Sequence, residues 1–168
     1  MRVLVAYGSK RGGTAGIAQT IGDALSTHGL EVDIRPADAR VDVDPYDAVI
    51  VGGALYATRW HAAARRFVRR RRRGLRAKSV WMFSSGPLDD SARERAIPPT
   101  RRVAALMRRV GARGHMTFGG RLAPDVTGFI ASKMARKTSG DWRDTSQIQA
   151  WAHGIASELE KSTVDRVA

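Results

Sequence analysis

Short apolar runs alternate along the chain with stretches whose apolar residues recur at helical spacing. The runs at 2–7, 48–51 and 79–84 are apolar almost throughout, which is typical of strands buried on both faces of a sheet. Residues 31–35 alternate polar and apolar, and residues 115–119 form a weaker run. The pattern therefore predicts five strands.

Four helices are predicted between and after these strands. Gly29 closes the first helix, as a glycine does just past a helix end. The second helix spans 61–73, and the third follows Pro98-Pro99. The last opens at Asp144 with Gln147 three residues on, which is capping-box spacing. The residues expected to face the core are Ile17, Ala18, Ile21, Leu25, Ala64, Phe67, Val68, Val103, Met107, Val110, Ile148, Trp151, Ala152, Ile155 and Leu159.

Strands and helices in alternation predict an α/β fold, a doubly wound five-stranded parallel sheet with helices on both faces. In such sheets, ligands bind beyond the carboxyl ends of the strands, at the switch point. In this chain, the candidate ligand-binding segments are those that follow Tyr7, Gly52 and Ser84. We expect one domain over 1–168, in which 121–143 is an extended loop or helix segment before the last helix.

The amino-acid composition excludes several kinds of catalytic, metal-binding and redox site. The 168 residues include no cysteine, which excludes disulfides, thiolate catalysis, thiolate zinc sites and iron–sulfur clusters. The four histidines lack metal-ligand spacing, so no metal site is predicted. Redox chemistry would therefore need a bound organic cofactor. No apolar run approaches the roughly 20 residues that cross a bilayer, and no signal-peptide core follows Met1, so we expect a cytoplasmic protein.

The formal net charge of +13 favours anionic partners, such as acidic lipid headgroups, nucleic acid or a substrate with carboxylates or phosphates. The densest positive segment is 65–73, where seven of nine residues are arginine. That segment can be a solvated face that tunes encounters with anions, which we favour, or a site for anionic lipid or RNA.

A glycine-rich turn joins the first strand to the first helix. Glycines let several backbone N–H groups point at one anion, and the helix N-terminus adds positive potential. Hydroxyls can donate to a phosphate and basic side chains can neutralise it. The alternative is a glycine-rich turn without a ligand. The expected phosphate-binding residues are Ser9, Lys10, Arg11, Gly12, Gly13 and Thr14.

The segment Ser-x-x-Gly-x-Thr from Ser9 to Thr14 resembles the FMN phosphate loop of flavodoxins. Residues 52–68, from Gly-Gly-Ala through Trp-His to Phe-Val, resemble a branch of that family, the bacterial menaquinone-dependent protoporphyrinogen oxidases. So do residues 136–140, followed by Asp144 and Trp151. The resemblance implies a flavodoxin-like fold with FMN as cofactor.

Two further loops are expected at the flavin ring, which gains from apolar contact on its faces. In the loop 53–60, Trp60 is a candidate for the ring or, alternatively, an anchor of the next helix. By resemblance, the loop 84–90 covers the other side with backbone N–H groups, although Asp89 and Asp90 fit ordinary turn residues slightly better. The ring-binding residues predicted are Ala54, Leu55, Tyr56, Ser84, Ser85, Gly86, Pro87 and Asp89.

Two other features have alternative interpretations. His61 can relay a proton, but a structural role is favoured, as it also is for His153. Phe129, Ile130 and Met134 can share a helical face beside Lys133, Arg136 and Lys137. Such a basic amphipathic segment can contact membrane or substrate, as an extra segment of the oxidase branch would, or simply pack on the domain.

The resemblance implies an FMN-dependent oxidoreductase that oxidises protoporphyrinogen, in haem biosynthesis, and passes electrons to menaquinone or another quinone, with peripheral contact to an anionic membrane. A +13 charge fits an anionic substrate better than the acidic surface of electron-shuttle flavodoxins. The alternative is a flavodoxin-type electron carrier without its own substrate. A module that binds anions or nucleic acid without FMN ranks last, because no helix-turn-helix or RNA-stacking motif is visible.

Overall fold

The computed structural model describes residues 1–10, 12–38, 40–56, 58–122 and 140–167, the last five of these by their backbone alone. Five parallel strands form the main sheet in the order β2-β1-β3-β5-β6. A short strand, β4, pairs antiparallel with β3, and β7 pairs with β8 in a separate ribbon. The strands are β1 (Arg2–Gly8), β2 (Glu31–Pro36), β3 (Ala48–Tyr56), β4 (Arg59–Trp60), β5 (Ser79–Ser85), β6 (Gly114–Phe118), β7 (Arg121–Leu122) and β8 (Gly140–Asp141).

Helices cover both faces of this sheet, which confirms the predicted doubly wound fold. Alternate residues of each central strand point to opposite faces, so Val3 and Val5 join one apolar core while Leu4 and Ala6 join the other. The helices are α1 (Gly13–Ser26), α2 (Ala62–Arg70), α3 (Arg72–Arg76), α4 (Ser91–Glu94), α5 (Arg101–Val110) and α6 (Thr145–Val167). Helices α1 and α6 pack on the first core, and α2, α3 and α5 on the second. Within the described ranges, no helix has the length and apolarity needed to cross a bilayer.

The structure corrects three details of the predicted elements. The helix expected over 61–73 divides at Arg71, where ψ is 11° rather than helical. The loop expected over 53–60 is instead a β-hairpin, because β3 continues to Tyr56 and turns back into β4. At the start of α6, Asp144 accepts from the backbone N–H of Gln147 at 3.2 Å, but the Gln147 side chain donates to the Ala92 carbonyl at 2.7 Å. The capping box is therefore half formed.

Gly52 shows how tightly the central strands pack. A Cβ added there would lie 2.0 to 2.5 Å from three ring carbons of Phe83, whose side chain is fully buried. Only glycine lets this aromatic ring cross the backbone of β3. The ring then contacts Phe118 and Trp151, at centroid distances of 6.0 and 6.3 Å, on the face covered by α6.

We expect Gly52→Ala to lower the free energy of unfolding by about 1–3 kcal/mol, because the new methyl group overpacks a filled core. Urea denaturation would measure the loss. Gly154→Ala is the matched control, since Gly154 lies in α6 with open space beside it, and alanine there should stabilise by up to about 1 kcal/mol. Equal stability of Gly52→Ala and the wild type would contradict the packing argument.

Candidate functional site

The register of the sheet brings three segments together at one edge. Gly8 at the end of β1 pairs with Gly53 of β3, and Gly53 pairs with Ser84 of β5. The chain beyond these residues is the first loop (9–12), the hairpin of β3 and β4, and the loop after β5. The three predicted site segments are therefore neighbours, at the switch point of the sheet.

The first loop ends in a helix start that is open to an anion. Gly12 has φ +76°, a left-handed conformation that favours glycine, and α1 begins at Gly13. The Thr14 side chain is 1% exposed, and its Oγ1 is buried without a hydrogen-bond partner among the described residues. The first N–H groups of a helix also lack intrahelical partners. An unsatisfied hydroxyl beside free N–H donors is the donor set that a phosphate group needs.

The remaining residues of this loop differ in exposure. Ser9 is half-buried and Lys10 is exposed. Arg11, which the sequence also assigns to the phosphate, lies outside the described residues. The other described phosphate-loop residues surround the α1 N-terminus, which adds positive potential at this point.

Two arginines that the sequence did not assign also lie at this helix start. Arg143 Nη1 donates to the Gly13 carbonyl at 3.5 Å, and a Cβ on Gly16 would lie 2.1 Å from the same nitrogen. A Cβ on Gly13 would lie 3.4 Å from Cβ of Arg121. Asp141 fixes the Arg143 guanidinium, whose Nε donates to Asp141 Oδ1 at 2.7 Å. Hydrogen bonding between the two side chains lowers the pKa of Asp141 and raises the pKa of Arg143. Asp141 also lies 4.0 Å from Nε of Arg121, so the two arginines share one carboxylate and leave one net positive charge beside the loop.

The hairpin supplies the apolar part of the site. Ala54 is buried, Leu55 is half-buried, and Tyr56 is 36% exposed, one of two large hydrophobic side chains described as exposed. Trp60 is 2% exposed and lies in the core with Phe67 and Leu106, so it anchors the hairpin and the helix after it. The anchoring alternative therefore holds for Trp60.

A buried hydrogen-bond network lies beneath the hairpin. Trp60 Nε1 donates to Ser84 Oγ at 2.8 Å, and the same oxygen is 2.9 Å from Nε2 of His115. The donor in the contact between Ser84 and His115 depends on the ring tautomer, and Nδ1 of His115 is buried without a hydrogen-bond partner among the described residues. Burial lowers the pKa of His115 to about 4, which keeps the ring neutral near pH 7. The Ser84 hydroxyl is thereby turned into the protein interior.

The third loop is held by the chain that follows β6. The Gly86 N–H donates to the Phe118 carbonyl at 3.1 Å, and the Gly120 N–H donates to the Pro87 carbonyl at 2.7 Å. Ser85 is buried and Pro87 is half-buried. A Cβ on Gly86 would lie 3.0 Å from Leu55 Cδ1, so this loop touches the hairpin.

Asp89 is a turn residue in the structure. Its Oδ1 accepts from the Ser91 N–H at 3.0 Å and from the Ser91 hydroxyl, and the hydroxyl hydrogen bond is the main cause of its lowered pKa. Asp90 forms an ion pair with Arg93 at 3.3 Å. These partners favour the turn alternative over direct contact with a ligand.

His61 caps α2 and does so at the site edge. Its Nδ1 accepts from the Ala63 N–H at 3.4 Å, and burial, with Lys10 and Arg66 adding to it, lowers the pKa of the ring. The structural role favoured for His61 is thus observed. A Cβ on Gly8 would lie 2.9 Å from the backbone nitrogen of Ala64, so β1 ends directly against the start of α2.

The extended segment begins and ends in described residues. Arg121 and Leu122 pair with Asp141 and Gly140, which closes the segment at its base. The amphipathic face proposed for Phe129, Ile130 and Met134, with Lys133, Arg136 and Lys137, lies outside the described residues.

Comparison with known proteins gives the chain a family context. A family model described as "Flavodoxin domain" matches residues 4–147. A search of curated proteins finds no match. The fold is similar to a flavodoxin mutant from Pseudomonas aeruginosa (TM-score 0.64, 16% identity, 95% of this chain and 99% of that one). It is also similar to oxidised flavodoxin 2 from Bacillus cereus (TM-score 0.61, 19% identity, 94% and 99%).

A larger protein also contains this fold. Rubredoxin oxygen:oxidoreductase from Desulfovibrio gigas matches with a TM-score of 0.64 and 16% identity over 95% of this chain. The match covers 36% of that enzyme, so the chain corresponds to about a third of its length. At these identities the structural likeness shows the fold.

We expect the half-buried His115 to make stability depend on pH. Its native pKa of about 4 lies below the ordinary 6.5, so the neutral ring stabilises the fold above pH 6.5, and this contribution is lost as the pH falls towards 4. The loss amounts to up to about 3 kcal/mol. Urea denaturation at several pH values would measure it. His115→Gln cannot titrate and should lose less stability over this range; identical pH dependence in the two proteins would contradict the assignment.

Proposed function

The chain belongs to the flavodoxin domain family, whose cofactor is FMN, and we propose that it transfers electrons through FMN held at the edge just described. When bound, the flavin supplies electron transfer, while the protein binds, orients and shields it. The observation that carries the proposal is the buried Thr14 hydroxyl at the N-terminus of α1, which has no hydrogen-bond partner among the described residues. A buried hydroxyl without a partner costs free energy, which a phosphate oxygen would recover.

The phosphate of FMN would lie in the first loop. Backbone N–H groups of Gly12, Gly13 and Thr14, with the Ser9 and Thr14 hydroxyls, would donate to its oxygens. Lys10 and Arg11 would add positive charge. The guanidinium of Arg143 borders the same helix start at Gly13 and Gly16, with its charge paired to Asp141.

The ring would lie between the hairpin and the third loop. Ala54, Leu55 and Tyr56 offer an apolar surface, and Tyr56 is exposed enough to stack on a flat ring. Ser85, Gly86 and Pro87 would border the ring from the other side with backbone groups. Ser84 and Asp89 would act indirectly, Ser84 by holding Trp60 under the hairpin and Asp89 by fixing the turn through Ser91.

Electron transfer without a dedicated substrate is the function that we favour. The fold match extends over 99% of each of the two flavodoxin structures named above, which supports this choice. The oxidation of protoporphyrinogen, with electrons passed to menaquinone or another quinone at an anionic membrane, is a second candidate. One observation favours it: a net charge of +13 suits a substrate that carries carboxylates.

We expect Thr14→Val to weaken FMN binding about tenfold, because the variant keeps the side-chain volume and loses one hydrogen bond to a charged group. Fluorescence titration of the apoprotein would measure the dissociation constant. Thr20→Val is the matched control on the same helix, where the hydroxyl donates to the Gly16 carbonyl at 3.1 Å. Equal FMN affinity in wild type and Thr14→Val would count against the phosphate assignment.

A turnover assay separates the two functions. For an electron carrier, we expect the FMN-loaded protein to accept electrons from a reductant and return them to a one-electron acceptor, while protoporphyrinogen and a menaquinone analogue react no faster than with free FMN. Faster turnover of that pair would select the oxidase. Apoprotein that takes up no FMN would overturn both candidates and favour the cofactor-free module.

A further inference from the structure

An open groove runs between α2–α3 and α5 on the sheet face opposite α1 and α6. It consists of two adjoining cavities of about 460 and 300 Å³, which share Arg69, Leu106 and Arg109 in their linings. Among the described residues, five arginines line each cavity and no acidic residue lines either. We call this feature the arginine groove.

Helical periodicity builds the groove. On α2, Phe67 and Val68 are buried in the core, while Arg65 is half-buried and Arg69, one turn later, is exposed. On α5, Leu106 is buried, and the exposed Arg109 faces the same groove. The result is an apolar floor between two rows of guanidinium groups.

The charge in this groove is not neutralised by the protein. Among the described residues, no ion pair involves Arg59, Arg65, Arg69, Arg102 or Arg109, whereas Arg71 outside the groove lies 3.9 Å from Asp42. Arg65 Nε is buried without a hydrogen-bond partner in the described part of the chain. Guanidinium groups held this close repel one another, so a bound polyanion gains both attraction and relief of repulsion.

The groove begins beside the proposed flavin. Arg59, which lines one cavity, pairs with Tyr56 across the hairpin, and Tyr56 is a proposed ring contact. If a segment of a larger partner binds along the groove, the parts of the partner next to that segment would therefore lie at the exposed edge of the hairpin. The claim that the ligand lies beside the flavin rests on the proposed function, whereas the claim that the groove binds a ligand does not.

We propose that the arginine groove binds an extended acidic segment of a protein electron-transfer partner. The nine residues of α2 give the groove a length of about 13 Å, which about four residues of extended peptide span. Carboxylates match the guanidinium fork, and the apolar floor suits the stems and backbone of a peptide.

The site is concave, and the only large hydrophobic side chains described as exposed, Met1 and Tyr56, lie outside its lining, which disfavours an inserting membrane. None of the described residues that line it is aromatic, which disfavours single-stranded nucleic acid.

The test uses a fluorescein-labelled decaglutamate peptide and fluorescence anisotropy at low salt. The triple variant Arg69→Gln, Arg102→Gln and Arg109→Gln should raise the dissociation constant about tenfold, because three exposed ionic contacts are removed. The control is Arg76→Gln, Arg101→Gln and Arg108→Gln, which removes the same charge from exposed arginines outside the linings. We expect the control to change the constant by less than about threefold.

Parallel titrations use a single-stranded oligonucleotide and vesicles of anionic phospholipid. Equal loss of peptide binding in both triple variants would overturn the proposal, because net charge alone would then explain it. A groove-specific loss that is larger for the oligonucleotide or the vesicles than for the peptide would also overturn it and assign the groove to phosphates. FMN titration of the same variants keeps the two proposals apart, since unchanged FMN affinity is expected whether or not the peptide binds.

Discussion

The register that aligns Gly8, Gly53 and Ser84 determines where every other feature of the site can lie. Parallel strands buried on both faces must end together, and the chain must leave them at the same edge. Close packing makes this alignment possible. A side chain on Gly53 would meet the Trp60 ring at 2.7 Å, and one on Gly8 would meet the backbone of α2 at 2.9 Å. The glycines at the end of β1 and within β3 therefore let a helix and an aromatic ring approach the strand ends.

The aromatic ring under this edge is held by a polar network inside an apolar core. Trp60 and His115 both contact the hydroxyl oxygen of Ser84, and the histidine stays neutral because burial opposes its protonation. This arrangement fixes the hairpin from below. The end of β3 can then present Tyr56 to solvent without losing its position. The hairpin thus combines buried polar contacts with an exposed apolar side chain.

Local periodicity predicted the strands, the helices and the apolar faces, because each depends on residues a few positions apart. The same reasoning expected a loop where the hairpin lies, since Ala54, Leu55 and Tyr56 continue β3 past its glycines and pair with a strand of two residues. Arg143 was also missed at the phosphate loop. It contacts Gly13 across 130 positions of sequence, and no local pattern encodes that approach. The pairing of Asp141 with Arg143 was the one local signal, because two opposite charges spaced this way can fix a guanidinium.

The cofactor site and the arginine groove depend on different physical interactions, so substitutions can change one site without changing the other. Cofactor binding relies on backbone N–H groups, a buried hydroxyl and glycine conformations, all of which the fold itself fixes. The arginine groove relies on outward positions of α2 and α5, where substitution leaves the inward residues Phe67, Val68 and Leu106 in place. Net charge influences the choice of partner and the rate of encounter more than the fold. A chain can therefore keep the flavodoxin architecture while its surface charge selects a partner of the opposite sign.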